Sequence, residues 1–116
     1  MLNAVGGDES KLLCGKRPVI VDYMIDTAGT VVQAAEVLMS YGAVSCGVTA
    51  THGVLSGPAI DRINACDALT FVLVSDSLPQ AKNQELCPKI KVYSVAEMLA
   101  EVIRRVTIDH SLSSLF

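Results

Sequence analysis

VDYMIDTAGT, residues 21–30, is the stretch that decides the fold. It follows directly on Pro18-Val19-Ile20-Val21, a short β-branched apolar run that reads as a buried strand. It runs into TVVQAAEVLMSY (30–41), a largely apolar segment closed by Gly42 that reads as a helix. Asp22 then falls at the carboxyl end of the first strand, and Asp26-Thr27-Ala28-Gly29-Thr30 becomes the loop that opens the helix. The first amides of a helix lack internal partners and carry a positive partial charge. A loop of small residues lets an anion reach them. Gly29 removes a side chain that would stand in the way, and Thr27 and Thr30 add hydroxyl donors. This is the pattern of a phosphomonoester cradle, with Asp22 in reach of a sugar hydroxyl. The same residues also suit a tight strand-to-helix turn in which Thr30 is an ordinary N-cap and Asp22 caps a neighbouring loop. On the residues alone both readings stand.

Working outward, CGVTAT (46–51) reads as a second strand, weakened by Gly47. Ser56 is spaced to cap a short helix running to about Asn64, with Pro58 near its first turn. LTFVLV (69–74) is the clearest strand pattern, and KIKVY (89–93) a short alternating one. Ser94-Val95-Ala96-Glu97 has the form of a capping box. The helix it opens puts Met98, Leu99, Val102, Ile103 and Val106 on one face, read as core, with Arg104 and Arg105 at a solvated end. Strands alternating with helices imply an α/β domain: a mostly parallel sheet flanked by helices on both faces. Ligands of such sheets sit at the carboxyl ends of the strands. Residues 1–15 read as a lead-in segment, and 16–116 as a single domain.

The composition narrows the function classes. With 51% hydrophobic residues among 116, the chain can bury a core, so disorder is not expected. With only 4% aromatics, that core must be aliphatic, as in covered parallel sheets. A net charge of −3 speaks against nucleic-acid binding. No apolar run reaches the ~18 residues of a membrane span, and Met1 to Pro18 hold no long apolar stretch, so a secretion signal is not expected. Cys14, Cys46, Cys66 and Cys87 lack Cys-x-x-Cys spacing, so a zinc site is not expected. Reduced thiols in a cytoplasmic protein fit them best.

Other candidates are weaker. His52 suits an acid or base near neutral pH, and equally a plain hydrogen bond to a loop. Ser56-Gly57-Pro58 suits a second anion site or simple capping. His110 is expected only to face solvent.

Four segments carry a family resemblance: VIVDYMIDTAGT (19–30), THGVLSGPAIDRI (51–63), KIKVYSVAEMLAEVIRR (89–105) and SLSSLF (111–116). In order and spacing they resemble the carboxyl-terminal half of the ribose-phosphate diphosphokinase family, with its type I phosphoribosyltransferase-like fold, over roughly residues 5–116. The first segment resembles that fold's phosphoribosyl-binding motif. The resemblance implies transfer of the diphosphoryl group of MgATP to ribose 5-phosphate, giving phosphoribosyl diphosphate and AMP. It implies that Asp22 binds ribose hydroxyls and that Asp26, Thr27, Ala28, Gly29 and Thr30 hold the 5-phosphate. It further implies Mg2+ as cofactor, a homo-oligomer or association with a full-length synthase subunit, and a regulatory phosphate or ADP site at Ser111, Ser113 and Phe116. A frayed tail is the plain alternative for those last three.

Two departures qualify the resemblance. Tyr23 stands where the family motif has a second acid. Adjacent strand residues point to opposite faces, so weakened ribose or metal-linked contacts are expected, with phosphate binding kept. The ATP pocket, the metal-binding residues and the catalytic loop of the family lie upstream of the matched part. A catalytically incomplete ribose 5-phosphate-binding domain, with no catalytic or metal-ligating residue of its own, is therefore expected. The alternative is a non-catalytic associated or regulatory subunit. A receiver-type signalling domain has a similar element order, but its acid cluster and late lysine have no counterpart here.

Overall fold

The computed structural model describes residues 11–116, so most of the lead-in segment lies outside the described residues. The elements run β1 (Val19–Ile25), α1 (Gly29–Ser40), β2 (Cys46–Gly53), α2 (Ala59–Ala65), β3 (Leu69–Ser75), α3 (Ala81–Leu86), β4 (Ile90–Tyr93) and α4 (Ala96–Thr107). A 3-10 turn, Ser113–Leu115, follows. The four strands form one sheet in the order β1-β2-β3-β4, and every pair is parallel. The expected α/β class, a parallel sheet flanked by helices, is the one observed.

Each crossover steps the same way across the sheet. With the right-handed connections that parallel strands favour, this puts the crossover segments on one face. The register shows what that face buries. Ile20 lies beside Val48, Val48 beside Val72, and Val72 beside Ile90. One step along, Asp22, Ala50, Val74 and Val92 are neighbours. Val48, Ala50, Val72, Val74 and Ile90 are buried with Val31 and Ala35 of α1 and Ala59 and Ile63 of α2. The core is aliphatic, as the composition required.

The other face carries Val19, Val21 and Tyr23 of β1, Phe71 and Leu73 of β3 and Tyr93 of β4. Among the described residues it is not covered: Val21 is 79% exposed and Tyr23 68%. The expectation of helices covering both faces is corrected here. β1 is also corrected. It is an edge strand, exposed except at Ile20 and Ile25, because an apolar run looks the same whether its strand lies inside or at the rim. It continues to Ile25, so Asp22 sits three residues short of the strand end. Gly47 has a physical reason on this face. A Cβ there would meet the Phe71 ring at 2.2 Å, so the ring lies directly on the glycine.

α3 separates LTFVLV and KIKVY, which the sequence pattern places as consecutive strands. Parallel neighbours need a crossover of a dozen or so residues, and 76–89 supplies it. α3 buries none of its own residues and so shows no apolar period to read. Gln80, which precedes it, is buried and donates its amide to the Gly53 carbonyl at 2.7 Å.

The ends of α1 follow local rules. Its C-terminus is a Schellman turn: the Gly42 amide donates to Met39 O and the Ala43 amide to Leu38 O, at 3.0 and 3.2 Å. Gly42 takes φ 91, where glycine is favoured. The capping box expected at the start of α4 does not form: the N-cap position is Val95, with no side-chain cap, and Ser94 lies one residue outside it. Ser94 Oγ accepts the Ala96 amide at 3.1 Å, while the Val95 amide turns to Asp76 Oδ1 at 3.0 Å. Hydrogen bonds from Ser94 and Val95 hold the Asp76 carboxyl below its usual range.

The α4 face is the largest correction. Met98, Leu99, Ile103 and Val106 are exposed, Ile103 by 65%, so they are not core. α4 follows the last edge strand, and no described element lies over this face. Arg105 is likewise not simply solvated. It pairs with Glu101 at 2.6 Å and donates to Ser111 O and Ser114 Oγ at 2.9 and 2.6 Å, tying the final turn to the helix.

All four cysteines are free, Cys14 exposed and Cys46, Cys66 and Cys87 buried. Burial, and secondarily Cys66, pushes the Cys46 thiol up. These three fill core volume as small hydrophobes.

Candidate phosphate-binding site

The carboxyl end of β1 and the start of α1 enclose a pocket of about 200 Å³. Asp22, Met24, Ile25, Asp26, Thr27, Ala28, Gly29, Thr30 and Val31 line it. The structure thus brings together all six residues singled out for sugar phosphate: Asp22 and the loop 26–30. Tyr23 does not line the pocket, because the pleat turns it to the uncovered face.

The loop leaves backbone donors unpaired at the start of α1. α1 begins at Gly29, and no side chain caps it. Thr30 is therefore a first-turn residue and not the N-cap. No acidic residue occupies the first turn. Among the hydrogen bonds of the described residues, none is donated by the amides of 26 to 31. Ala28 takes the left-handed conformation, φ 63 and ψ 6, which is costly for a residue with a Cβ. Its side chain is buried, so packing holds the strained turn in place.

Asp26 does not present a bare carboxylate to this loop. Its Oδ1 accepts a short hydrogen bond from Ser56 Oγ. Ser56 therefore serves Asp26; the N-cap position of α2 is Pro58, and that helix has no side-chain cap. Asp22 Oδ1 accepts the Tyr23 amide at 2.7 Å, and its carboxylate remains exposed on the pocket wall. The lining contains two carboxylates and no cationic side chain.

The remaining candidates sit elsewhere. His52 Nδ1 and Ser77 Oγ are 2.7 Å apart, so this histidine is engaged with the β3–α3 loop. α2 is a single short helix of seven residues, and the segment before it braces the first loop. Ser111 and Ser113 hydrogen-bond each other at 2.9 Å, and Phe116 is 87% exposed. None of these lines the pocket. Sequence reasoning missed Arg62, whose Nη1 donates to the Thr27 carbonyl at 3.1 Å. No local signal marks a contact that spans 35 positions.

Among the described residues, no group of three or more His, Cys, Asp or Glu is placed to hold a metal ion. At the pocket, Mg2+ would find Asp22 and an Asp26 already bonded to Ser56. The residues present do not make a magnesium site by themselves. No helix among them is long and apolar enough to cross a membrane.

Comparison with known proteins gives a consistent result. A family model described as the phosphoribosyl synthetase-associated domain matches residues 3–116. A ribose-phosphate pyrophosphokinase of Caldanaerobacter subterraneus is 48% identical over 102 residues, which is 88% of this chain and 32% of that one. One from Streptomyces coelicolor is 45% identical over 115 residues, 99% of this chain and 34% of its own length. The crystal structure of phosphoribosylpyrophosphate synthetase from Mycobacterium smegmatis superposes with a TM-score of 0.77 at 38% identity. That match covers 84% of this chain and 32% of the other. The chain therefore spans about a third of the length of the curated relatives it matches.

Proposed function

Since the chain belongs to the phosphoribosyl synthetase-associated domain family, we propose that it is the ribose 5-phosphate-binding part of a ribose-phosphate pyrophosphokinase. The observation that carries the reading is the uncapped, strained turn at Thr27–Thr30, with its amides unpaired above a pocket that Asp22 shares. The 5-phosphate sits on these amides and the Thr27 and Thr30 hydroxyls, and Asp22 accepts from ribose hydroxyls. Asp26 borders the same pocket with one carboxylate oxygen engaged by the Ser56 hydroxyl.

The reaction is diphosphoryl transfer from MgATP to the anomeric hydroxyl. Such transfer rests on positioning and on cations that offset the charge of the transferring group. The pocket has no cationic side chain, which supports a chain that binds the acceptor and leaves ATP, Mg2+ and the catalytic cations to the remaining two thirds of a full-length relative. Among the described residues, the uncovered sheet face, the unpaired edge of β1 and the apolar stripe of α4 support the same view. They are the surfaces on which that remainder, in the same polypeptide or a partner subunit, would pack. Free thiols fit a cytoplasmic setting.

Calorimetric titration of the purified chain with ribose 5-phosphate, with ribose as control, tests the binding claim. Binding that needs the phosphate and is lost in Thr30→Val supports it; a folded chain that binds neither compound refutes it. Steady AMP formation from ATP and ribose 5-phosphate by the chain alone would refute its catalytic incompleteness. A second reading, a non-catalytic associated subunit, is favoured by Tyr23 and the cation-free pocket. It predicts tight association with a full-length relative and no ribose 5-phosphate binding.

A further inference from the structure

We infer that the segment 54–62 is a positioning arm for the anion loop, and that Arg62 aims the loop's amides from outside the pocket. The inference rests on the phosphate reading above. It comes from three consecutive carbonyls. Ile25 O accepts from the Val54 and Leu55 amides at 3.0 and 3.1 Å. Asp26 O accepts from the Ser56 amide at 3.1 Å. Thr27 O accepts from Arg62 Nη1 at 3.1 Å.

A trans peptide holds its C=O and N–H on opposite sides. Fixing the carbonyls of 25, 26 and 27 on the arm turns the amides of Asp26, Thr27 and Ala28 away from it. Successive amides turned to one side form an anion-binding concavity. The left-handed Ala28 at the end of this row is the conformation that such a concavity needs, and the arm holds it there. The arm has its own left-handed residue, Leu55, at φ 51, so the bonded segments are strained on both sides.

Arg62 contributes the last and most specific of these bonds. A Cβ at Gly29 would come within 3.2 Å of Arg62 Nη1, so the glycine lets the guanidinium lie close against the loop backbone. Arg62 does not line the pocket. It is a positioning residue, and its charge works from behind the loop. The Ser56 hydroxyl acts with it by drawing the Asp26 carboxylate toward the arm.

The test uses Arg62→Met, Arg62→Lys and Ser56→Ala in the same chain, with two readouts. One is calorimetric titration with ribose 5-phosphate. The other is the amide resonances of Asp26, Thr27 and Ala28 without ligand. Arg62 is exposed, so the variants fold, and thermal melts check this. Arg62→Met should weaken binding about tenfold with little change in melting temperature, and Arg62→Lys should recover part of the loss. Wild-type affinity in Arg62→Met overturns the inference. If the parent chain binds no ribose 5-phosphate, the phosphate reading fails by itself. The resonances still decide the positioning role: a shift confined to 26–28 in Arg62→Met sustains it, and unchanged resonances overturn it.

Discussion

Gly47→Ala should destabilise the domain, and the sign of the effect should reverse when Phe71 is cut back. The added Cβ would stand 2.2 Å from two atoms of the Phe71 ring and 2.8 Å from a third. The ring must leave its seat on β2 and move outward over the open face. Overpacking of this kind costs roughly 1–3 kcal/mol. For a domain of this size that lowers the melting temperature by about 4 °C per kcal/mol. In a Phe71→Ala background the closest contacts are gone, since the three nearest atoms all belong to the ring. There Gly47→Ala should gain about 0.5–1 kcal/mol, the ordinary advantage of alanine over glycine in a strand. Urea unfolding of the parent, both single variants and the double variant measures the coupling. Equal destabilisation in both backgrounds would refute the reasoning and leave Gly47 without a packing cause.

Further outcomes concern the surface and the thiols. Glu101 is held down from 4.5 to about 2, first by hydrogen bonds from Arg104 and then by those from Arg105. Because the folded value lies below the unfolded one, its stabilisation is complete above the unfolded value and lost as pH falls toward the folded one. Glu101→Gln should remove that part of the acid dependence in thermal melts, and a carboxyl titration by NMR should show the low value directly. Cys14 should react promptly with an aromatic disulfide reagent, while Cys46, Cys66 and Cys87 react only on unfolding; early labelling of more than one thiol contradicts the described burial. Met98→Gln with Ile103→Gln should change stability by no more than about 0.5 kcal/mol, because both side chains are already exposed. The same pair should weaken association with a full-length relative in sedimentation, and an unchanged association argues against α4 as the packing surface.

Much of this architecture is legible in the sequence because it rests on local signals. LTFVLV marks β3, Gly42 marks the end of α1, and the small-residue run 26–30 marks the turn that forms the pocket. What escapes depends on distant partners. The apolar run at 18–21 cannot tell an inner strand from an edge, and the stripe on α4 cannot tell a core from an uncovered surface. α3 escapes because it buries nothing and so has no period. Ser56 looks like a cap by spacing, yet its hydroxyl is taken by a carboxylate thirty positions away. Arg62 escapes for the same reason.

The proposed phosphate binding by this chain rests on the unpaired amides from Thr27 to Val31. The most direct measurement is a titration of the isotope-labelled chain with ribose 5-phosphate, followed through its amide resonances. Saturable shifts should appear at Thr27, Ala28, Gly29, Thr30 and Val31, smaller ones near Asp22, and none along α4. Shifts that spare 27–31, or that are largest at the Ser111–Phe116 turn, would contradict phosphate binding at this loop.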